Sequence, residues 1–185
     1  PRLVGSEMCI RDSHIPVHEI KTIESNSIKL PQGRGEILRL REGNILIDFA
    51  HDHQSIQNIL SELANYHNEI ILVFGCGGDR DRSKRSKMMK VARDFASKVF
   101  FTSDNNRYES FSSIASDAML GNSDTSIEII ENRQEAISLA LQCLNKKNIL
   151  VILGKGHETY MDVSGKKVPF NDKDCVLEIL GNEAN

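Results

Sequence analysis

From Asn44 onward, short runs of consecutive apolar residues alternate with stretches in which apolar residues recur every three or four positions. Ile45-Leu46-Ile47-Asp48-Phe49 reads as a buried strand, and Ile56, Ile59, Leu60 and Leu63 then share one helical face. Ile70-Ile71-Leu72-Val73-Phe74 is a second strand, stopped by Gly75-Cys76-Gly77-Gly78, and Met88, Val91, Ala92 and Phe95 mark the helix after it. The strand Lys98–Thr102 leads to a helix carrying Phe111, Ile114, Ala115 and Ala118. The strand Ile127–Ile130 leads to a helix carrying Ile137, Ala140, Leu141 and Leu144, and Asn148–Leu153 is a further strand. Five apolar strands separated by four amphipathic helices predict an α/β fold. It is a Rossmann-like, mostly parallel sheet of five to six strands with helices on both faces, because right-handed crossovers cover both sides. After Gly154 the rhythm changes. Tyr160–Val163 and Lys167–Phe170, joined across Ser164-Gly165, read as a β-hairpin, and a closing helix starts near Asp172 with Val176, Ile179 and Leu180 on its apolar face.

The segment before Asn44 reads differently. Residues 1–13 fit neither helix nor strand and lack the apolar h-region of a signal peptide. Ser6-Glu7-Met8-Cys9-Ile10-Arg11-Asp12-Ser13 looks like a translated sequencing adapter and is set aside from the fold. Residues 14–32 are polar with scattered Ile and end in Pro31-Gln32-Gly33-Arg34-Gly35, as a linker or the close of a preceding domain would. The expected domain is therefore 33–185. Its expected stability needs no staple, since a chain of 185 residues buries about 70% of its unfolded surface. The four cysteines are too irregularly spaced for a zinc site, and together with the absence of an apolar run of about 18 residues they point to a cytoplasmic protein. A net charge of −3 and the absence of Trp argue against nucleic-acid binding.

In an open parallel sheet, ligands bind beyond the carboxyl ends of the strands. Four such ends carry unusual residues: Asp48-Phe49-Ala50-His51, Gly75 to Arg82, Ser103-Asp104-Asn105-Asn106-Arg107 and Gly154-Lys155-Gly156-His157-Glu158. The glycines permit close backbone approach to an anion, yet neither a Walker loop nor a Gly-x-Gly-x-x-Gly is present. Arg80, Arg82, Lys84, Arg85 and Lys87 form either a solvated helix start, with Asp79 and Asp81 as local partners, or a binding site for a carboxylate or phosphate. His51 and His53 lack a third metal ligand, and Cys76 reads as a small buried hydrophobe rather than a nucleophile. The residues alone name no catalytic group and no metal site.

These loops, in this order, resemble the C-terminal domain of the Mur ligase family, and within it the branch that adds the third residue of the peptidoglycan stem peptide. The resemblance runs from about Leu30 to Leu180, and its most specific parts are Phe74 to Arg82 and Gly154 to Glu158. It implies an ATP- and Mg2+-dependent amide ligase joining meso-diaminopimelate to UDP-N-acetylmuramoyl-L-alanyl-D-glutamate, acting as a monomer with no nucleic-acid or membrane partner. By resemblance Arg34, Asp48 and His51 meet ATP. Arg80, Asp104, Asn105, Asn106, Arg107, Gly154 and Glu158 bind diaminopimelate, the arginines taking carboxylates, and Gly154 and Glu158 the distal ammonium. Lysine-adding relatives lack the arginine of the Asp-x-x-Arg motif, and that motif also argues against a folylpolyglutamate-type ligase. A non-catalytic amino-acid or nucleotide module is the reading from another class. Asn106 stands where the family usually has proline, and Asp52-His53-Gln54 where it often has Thr-Pro-Asp. The Gly-Lys-Thr phosphate loop, the modified magnesium-binding lysine and the UDP-binding domain have no counterpart here, so the chain is expected to be a fragment without catalysis of its own.

Overall fold

The structure is a computed structural model that describes residues 33–122 and 124–183; the readings of 1–13 and 14–32 lie outside the described residues. Its sheet has six strands, β1 (Glu36–Arg39), β2 (Asn44–Asp48), β3 (Glu69–Cys76), β4 (Lys98–Ser103), β5 (Ile127–Ile130) and β6 (Asn148–Leu153), in the order β1-β2-β6-β3-β4-β5. All pairs are parallel except β1 with β2.

Each apolar run divides between two cores because successive side chains leave a strand on opposite faces. Leu46, Ile70, Leu72, Phe74, Val99, Phe101, Ile149, Val151 and Leu153 face one side. Helices α1 (His53–Ala64), α2 (Ser83–Phe95) and α3 (Phe111–Met119) close over them with residues such as Leu60, Met89 and Ile114. Ile45, Ile47, Ile71, Val73, Phe100, Leu150 and Ile152 face the other side, under α4 (Arg133–Gln142) and α5 (Asp172–Glu183). The continuous Ile/Leu/Val runs of β3 and β6 are thus the signature of strands covered on both sides.

Helix starts follow local chemistry. Asp52 caps α1 by accepting from the Ser55 N–H at 2.8 Å, with Ser55 returning a bond to the Asp52 N–H, a reciprocal box. Ser110 and Asn132 cap α3 and α4 in the same sense. A two-stranded hairpin, β7 (Tyr160–Val163) and β8 (Lys166–Pro169), follows β6. Its two-residue turn is Ser164-Gly165, with φ of 53° and 76°, the left-handed pair that such a turn requires.

Two sequence expectations need correction. The stretch after Gly35, to which the sequence assigned no element, holds the edge strand β1: four residues alternating in exposure on an antiparallel edge give no continuous apolar run to detect. The second hairpin strand begins one residue earlier than expected, at Lys166, because the turn takes only two residues.

Candidate active site

The strand order puts a switch point at β6, which inserts between β2 and β3 although it follows β5 in sequence. Crevices open beyond strand ends at such points. A cavity of about 540 Å³ lies there, lined by Phe49 and His51 after β2, Gly75, Cys76, Gly77 and Arg80 around the end of β3, Asp104, Asn105 and Arg107 after β4, and Gly154 and Glu158 after β6.

The loops after β3 and β4 are laced to each other. The Gly78 N–H donates to the Asn105 carbonyl at 2.9 Å, and the Asp79 carboxylate accepts from the Tyr108 N–H at 3.1 Å. A side chain at Gly78 would sit 1.9 Å from the Asn106 carbonyl oxygen, so only glycine allows this approach. Arg107 stands between that loop and the hairpin. Its Nη1 donates to the Gly78 carbonyl at 2.6 Å, its N–H to the Asp162 carbonyl at 2.9 Å, and its own carbonyl accepts from Ser164 at 2.6 Å. These contacts hold its backbone at φ 51°, a conformation non-glycine residues visit at a cost. Among the described residues its guanidinium makes no hydrogen bond apart from those of Nη1, and Arg80 makes none.

Arg85 behaves unlike its basic neighbours. The solvated reading fails for it, since the residue is 1% exposed. Its Nη1 and Nη2 reach the two Glu109 carboxylate oxygens at 2.7 and 2.6 Å, Nη1 also reaches Asp117 at 2.8 Å, and Nη2 reaches the Gly77 carbonyl at 3.1 Å. Glu109 in turn accepts from the Asp79 N–H at 3.1 Å. The partners of Arg82 and Arg85 are therefore residues at the start of and within α3, not Asp79 and Asp81; Asp81 instead caps Ser83 at 3.0 Å. The Arg85 hydrogen bond holds the Glu109 carboxyl at about 2, against an ordinary 4.5. A depressed carboxyl contributes stability that is complete above its unfolded value and is lost as pH falls toward the folded one. Urea unfolding should therefore show stability falling between about pH 5 and pH 2, and Glu109→Gln should flatten that fall while costing about 1–3 kcal/mol at neutral pH.

At the opposite wall, Lys155 is fully buried. Its Nζ lies 2.8 Å from Glu158 Oε2, 3.4 Å from Asn105 Oδ1 and 3.8 Å from Asp104 Oδ1. Asn105 also donates to Glu158 at 2.9 Å and accepts from the Asp162 N–H at 2.8 Å, tying the hairpin to the pocket. Sequence reasoning quoted Lys155 within its motif but gave it no role; complete burial of a lysine has no local sequence signal.

The remaining sequence-predicted residues lie elsewhere or are already engaged. Arg34 is exposed, its guanidinium 4.6 Å over the Phe49 ring, and His51 packs on the same ring at 4.8 Å. Asp48 accepts from the Gly35 N–H at 2.7 Å and the Ala50 N–H at 2.8 Å, so its carboxylate fastens the entering loop to the end of β2. Asn106 points away from the main cavity. It donates to Ser103 Oγ at 3.1 Å and lines a smaller cavity with Arg133, Met161 and Phe170, where its buried Oδ1 has no partner. Cys76 is buried against Met88, and burial pushes its thiol to about 12, the state of an inert hydrophobe rather than a nucleophile. Among the described residues, no group of three or more His, Cys, Asp or Glu side chains is placed to hold a metal ion, and no helix is long and apolar enough to cross a membrane.

Residues 33–156 match the family described as Mur ligase, glutamate ligase domain. The chain is 37% identical over 155 residues to a UDP-N-acetylmuramoyl-L-alanyl-D-glutamate–2,6-diaminopimelate ligase of Rickettsia typhi, covering 82% of this chain and 32% of that protein. It is 38% identical over 172 residues to the ligase of the same name from Oceanobacillus iheyensis, covering 91% and 35%. A solved structure of a ligase of that name aligns with a TM-score of 0.80 at 31% identity, over 99% of this chain and 38% of that one. A folylpolyglutamate synthase from Thermotoga maritima shares the fold at a TM-score of 0.52 and 22% identity, over 68% of this chain and 28% of that one. The chain spans about a third of the length of the curated relatives it matches.

Proposed function

The chain belongs to the Mur ligase family as a glutamate ligase domain, and from that premise we propose that it is the C-terminal, amino-acid-binding domain of an ATP-dependent ligase. That ligase adds meso-diaminopimelate to UDP-N-acetylmuramoyl-L-alanyl-D-glutamate in peptidoglycan biosynthesis. The observation that carries the reading is the polarity of the main cavity. Its lining brings the cationic Arg80, Lys84, Arg85 and Arg107 together with the carboxylates of Asp81, Asp104 and Glu158. Diaminopimelate differs from lysine by a carboxylate beside its distal ammonium, and a planar guanidinium can take that carboxylate through two hydrogen bonds.

In this reading the domain binds the far end of the amino acid and leaves the near amine to attack the activated carboxyl of the nucleotide dipeptide. ATP supplies the phosphoryl group that activates that carboxyl. Arg34, held on Phe49 and open to solvent, suits a nucleotide phosphate; Asp48 keeps a second lone pair on each oxygen for a ribose hydroxyl, and His51 flanks them. Mg2+ is bound through few carboxylates together with substrate phosphates, and in this reading it is held mainly by other parts of the ligase. The domain alone is expected to bind its amino acid weakly and not to catalyse, because such sites complete when domains close.

The test is amino-acid choice by the full-length ligase carrying this domain, supplied with ATP, the nucleotide dipeptide and either meso-diaminopimelate or L-lysine. Mass spectrometry should find the diaminopimelate product, with lysine disfavoured by at least about a hundredfold in kcat/KM, since a site built to bind a carboxylate leaves charged groups unpaired without it. Equal use of lysine, or no ATP-dependent ligation, would refute the reading.

A further inference from the structure

We propose that Lys155 sets the charge of the ammonium-binding end of the cavity, as a positioning residue that neutralises one of two converging carboxylates so that this end accepts a single cationic group. The inference rests on the reading of the cavity as a diaminopimelate site. Glu158 comes from the loop after β6 and Asp104 from the end of β4, and the two meet only because β6 and β4 both flank β3. Two carboxylates brought to one enclosed place repel, and one of them tends to take up a proton. The Lys155 ammonium lies between them, 2.8 Å from Glu158 and 3.8 Å from Asp104, with Asn105 as its third partner at 3.4 Å. Completely buried, it cannot reach water as surface lysines do. Its charge therefore acts within the cavity wall, which keeps one net negative charge for a ligand.

The charged groups facing this point are Asp104, Lys155, His157 and Glu158, with His51, Arg80, Asp81, Lys84, Arg85 and Arg107 elsewhere around the same cavity. Burial works to raise the Glu158 carboxyl, and the hydrogen bonds from Lys155 and Asn105, with the charges of Lys155 and His157, outweigh it and hold the group below its ordinary value. Removing the lysine takes away its hydrogen bond and its charge and leaves burial opposed by Asn105 and His157 alone. Glu158 should then protonate at higher pH and release the ammonium.

The experiment measures kcat and KM for meso-diaminopimelate against pH in the full-length ligase, for wild type, Lys155→Met, Lys155→Gln and Lys155→Arg. Wild type should hold a level KM down to about pH 5.5. Met and Gln should raise KM about tenfold or more at neutral pH with little change in kcat, the size expected when a buried charged group loses its partner. In both, the rise of KM on the acid side should move up by about one pH unit or more, and Arg should restore the wild-type profile. Acid limbs of Met and Gln that coincide with wild type would overturn the inference. Thermal melts cover loss of folding. Neutral variants that unfold while Arg folds support a role for the charge; Arg alone unfolding with level neutral variants overturns it; unfolding of all three assigns Lys155 to the fold and also overturns it. A wild-type ligase that does not use diaminopimelate at all refutes the reading of the cavity instead.

Discussion

Replacing Arg107 with alanine in the full-length ligase is expected to lower kcat/KM for meso-diaminopimelate by roughly 30- to 1000-fold, about 2–4 kcal/mol, the usual cost of truncating one partner of a hydrogen-bonded charge pair. The lysine reaction, which has no distal carboxylate to lose, should change far less, so discrimination between the two amino acids should narrow by nearly the same factor. The substitution is a clean deletion of the side chain. Arg107 holds φ 51° through backbone bonds to Asp162 and Ser164, and alanine meets the same left-handed penalty as arginine. The structural cost is the loss of the Nη1 contacts to the carbonyls of Gly78, 2.6 Å in the native loop, and Asn105, 3.5 Å. Arg107→Lys should fall between the two, since an ammonium supplies charge but not the fork. Steady-state kinetics with both amino acids checks all three, and undiminished use of diaminopimelate by the alanine variant would remove Arg107 from the site.

The largest effect on stability is expected at the buried pair Arg133–Asp172. Both side chains are fully buried, joined by two bonds at 2.7 and 2.9 Å, and Arg133 also donates to the carbonyls of Leu153 at 2.9 Å and Ser103 at 3.3 Å. Those carbonyls end β6 and β4, directly behind the loops that line the cavity, so one guanidinium ties α4 and α5 to the two strands that carry the site. Asp172→Ala leaves a buried, uncompensated charge and should cost about 3–5 kcal/mol in denaturant unfolding. Adding Arg133→Met should recover part of that loss, because no buried charge remains. The recovery should be incomplete, because the two carbonyls then lack their donor. A single variant that loses less than about 1 kcal/mol would show that the pair is dispensable to the fold.

Arg133 and Asp172 also illustrate where sequence reading stops. Both sit at helix starts, where a charged residue usually meets solvent, and they are 39 positions apart. Arg85 is similar: within a cluster of five basic residues it alone is buried, because Glu109, just ahead of α3, and Asp117, within α3, meet it. The edge strand β1 escaped for the opposite reason, its four residues carrying too little apolar signal. By contrast the loops at Gly75–Arg82, Asp104–Arg107 and Gly154–Glu158 were legible as site material from their composition and their places after strands, and six of the seven diaminopimelate residues expected on the family resemblance converge on one cavity while the seventh, Asn106, turns away.

The sequence by itself determined the elements and their class. Short continuous apolar runs and a period of 3.6 residues are local properties of buried strands and of helices, so Ile45–Ile47 and Asn148–Leu153 declare buried strands wherever the sheet places them. Only the tertiary structure decided which loops meet. β6 inserts between β2 and β3, and that order sets Glu158 beside Asp104, buries Lys155 between them and brings Arg107 to the Gly78 carbonyl. Strand order depends on how two cores pack across one sheet, a sum over residues distant in sequence. The charge of a pocket built from four separate strand ends is settled only when that sum is complete.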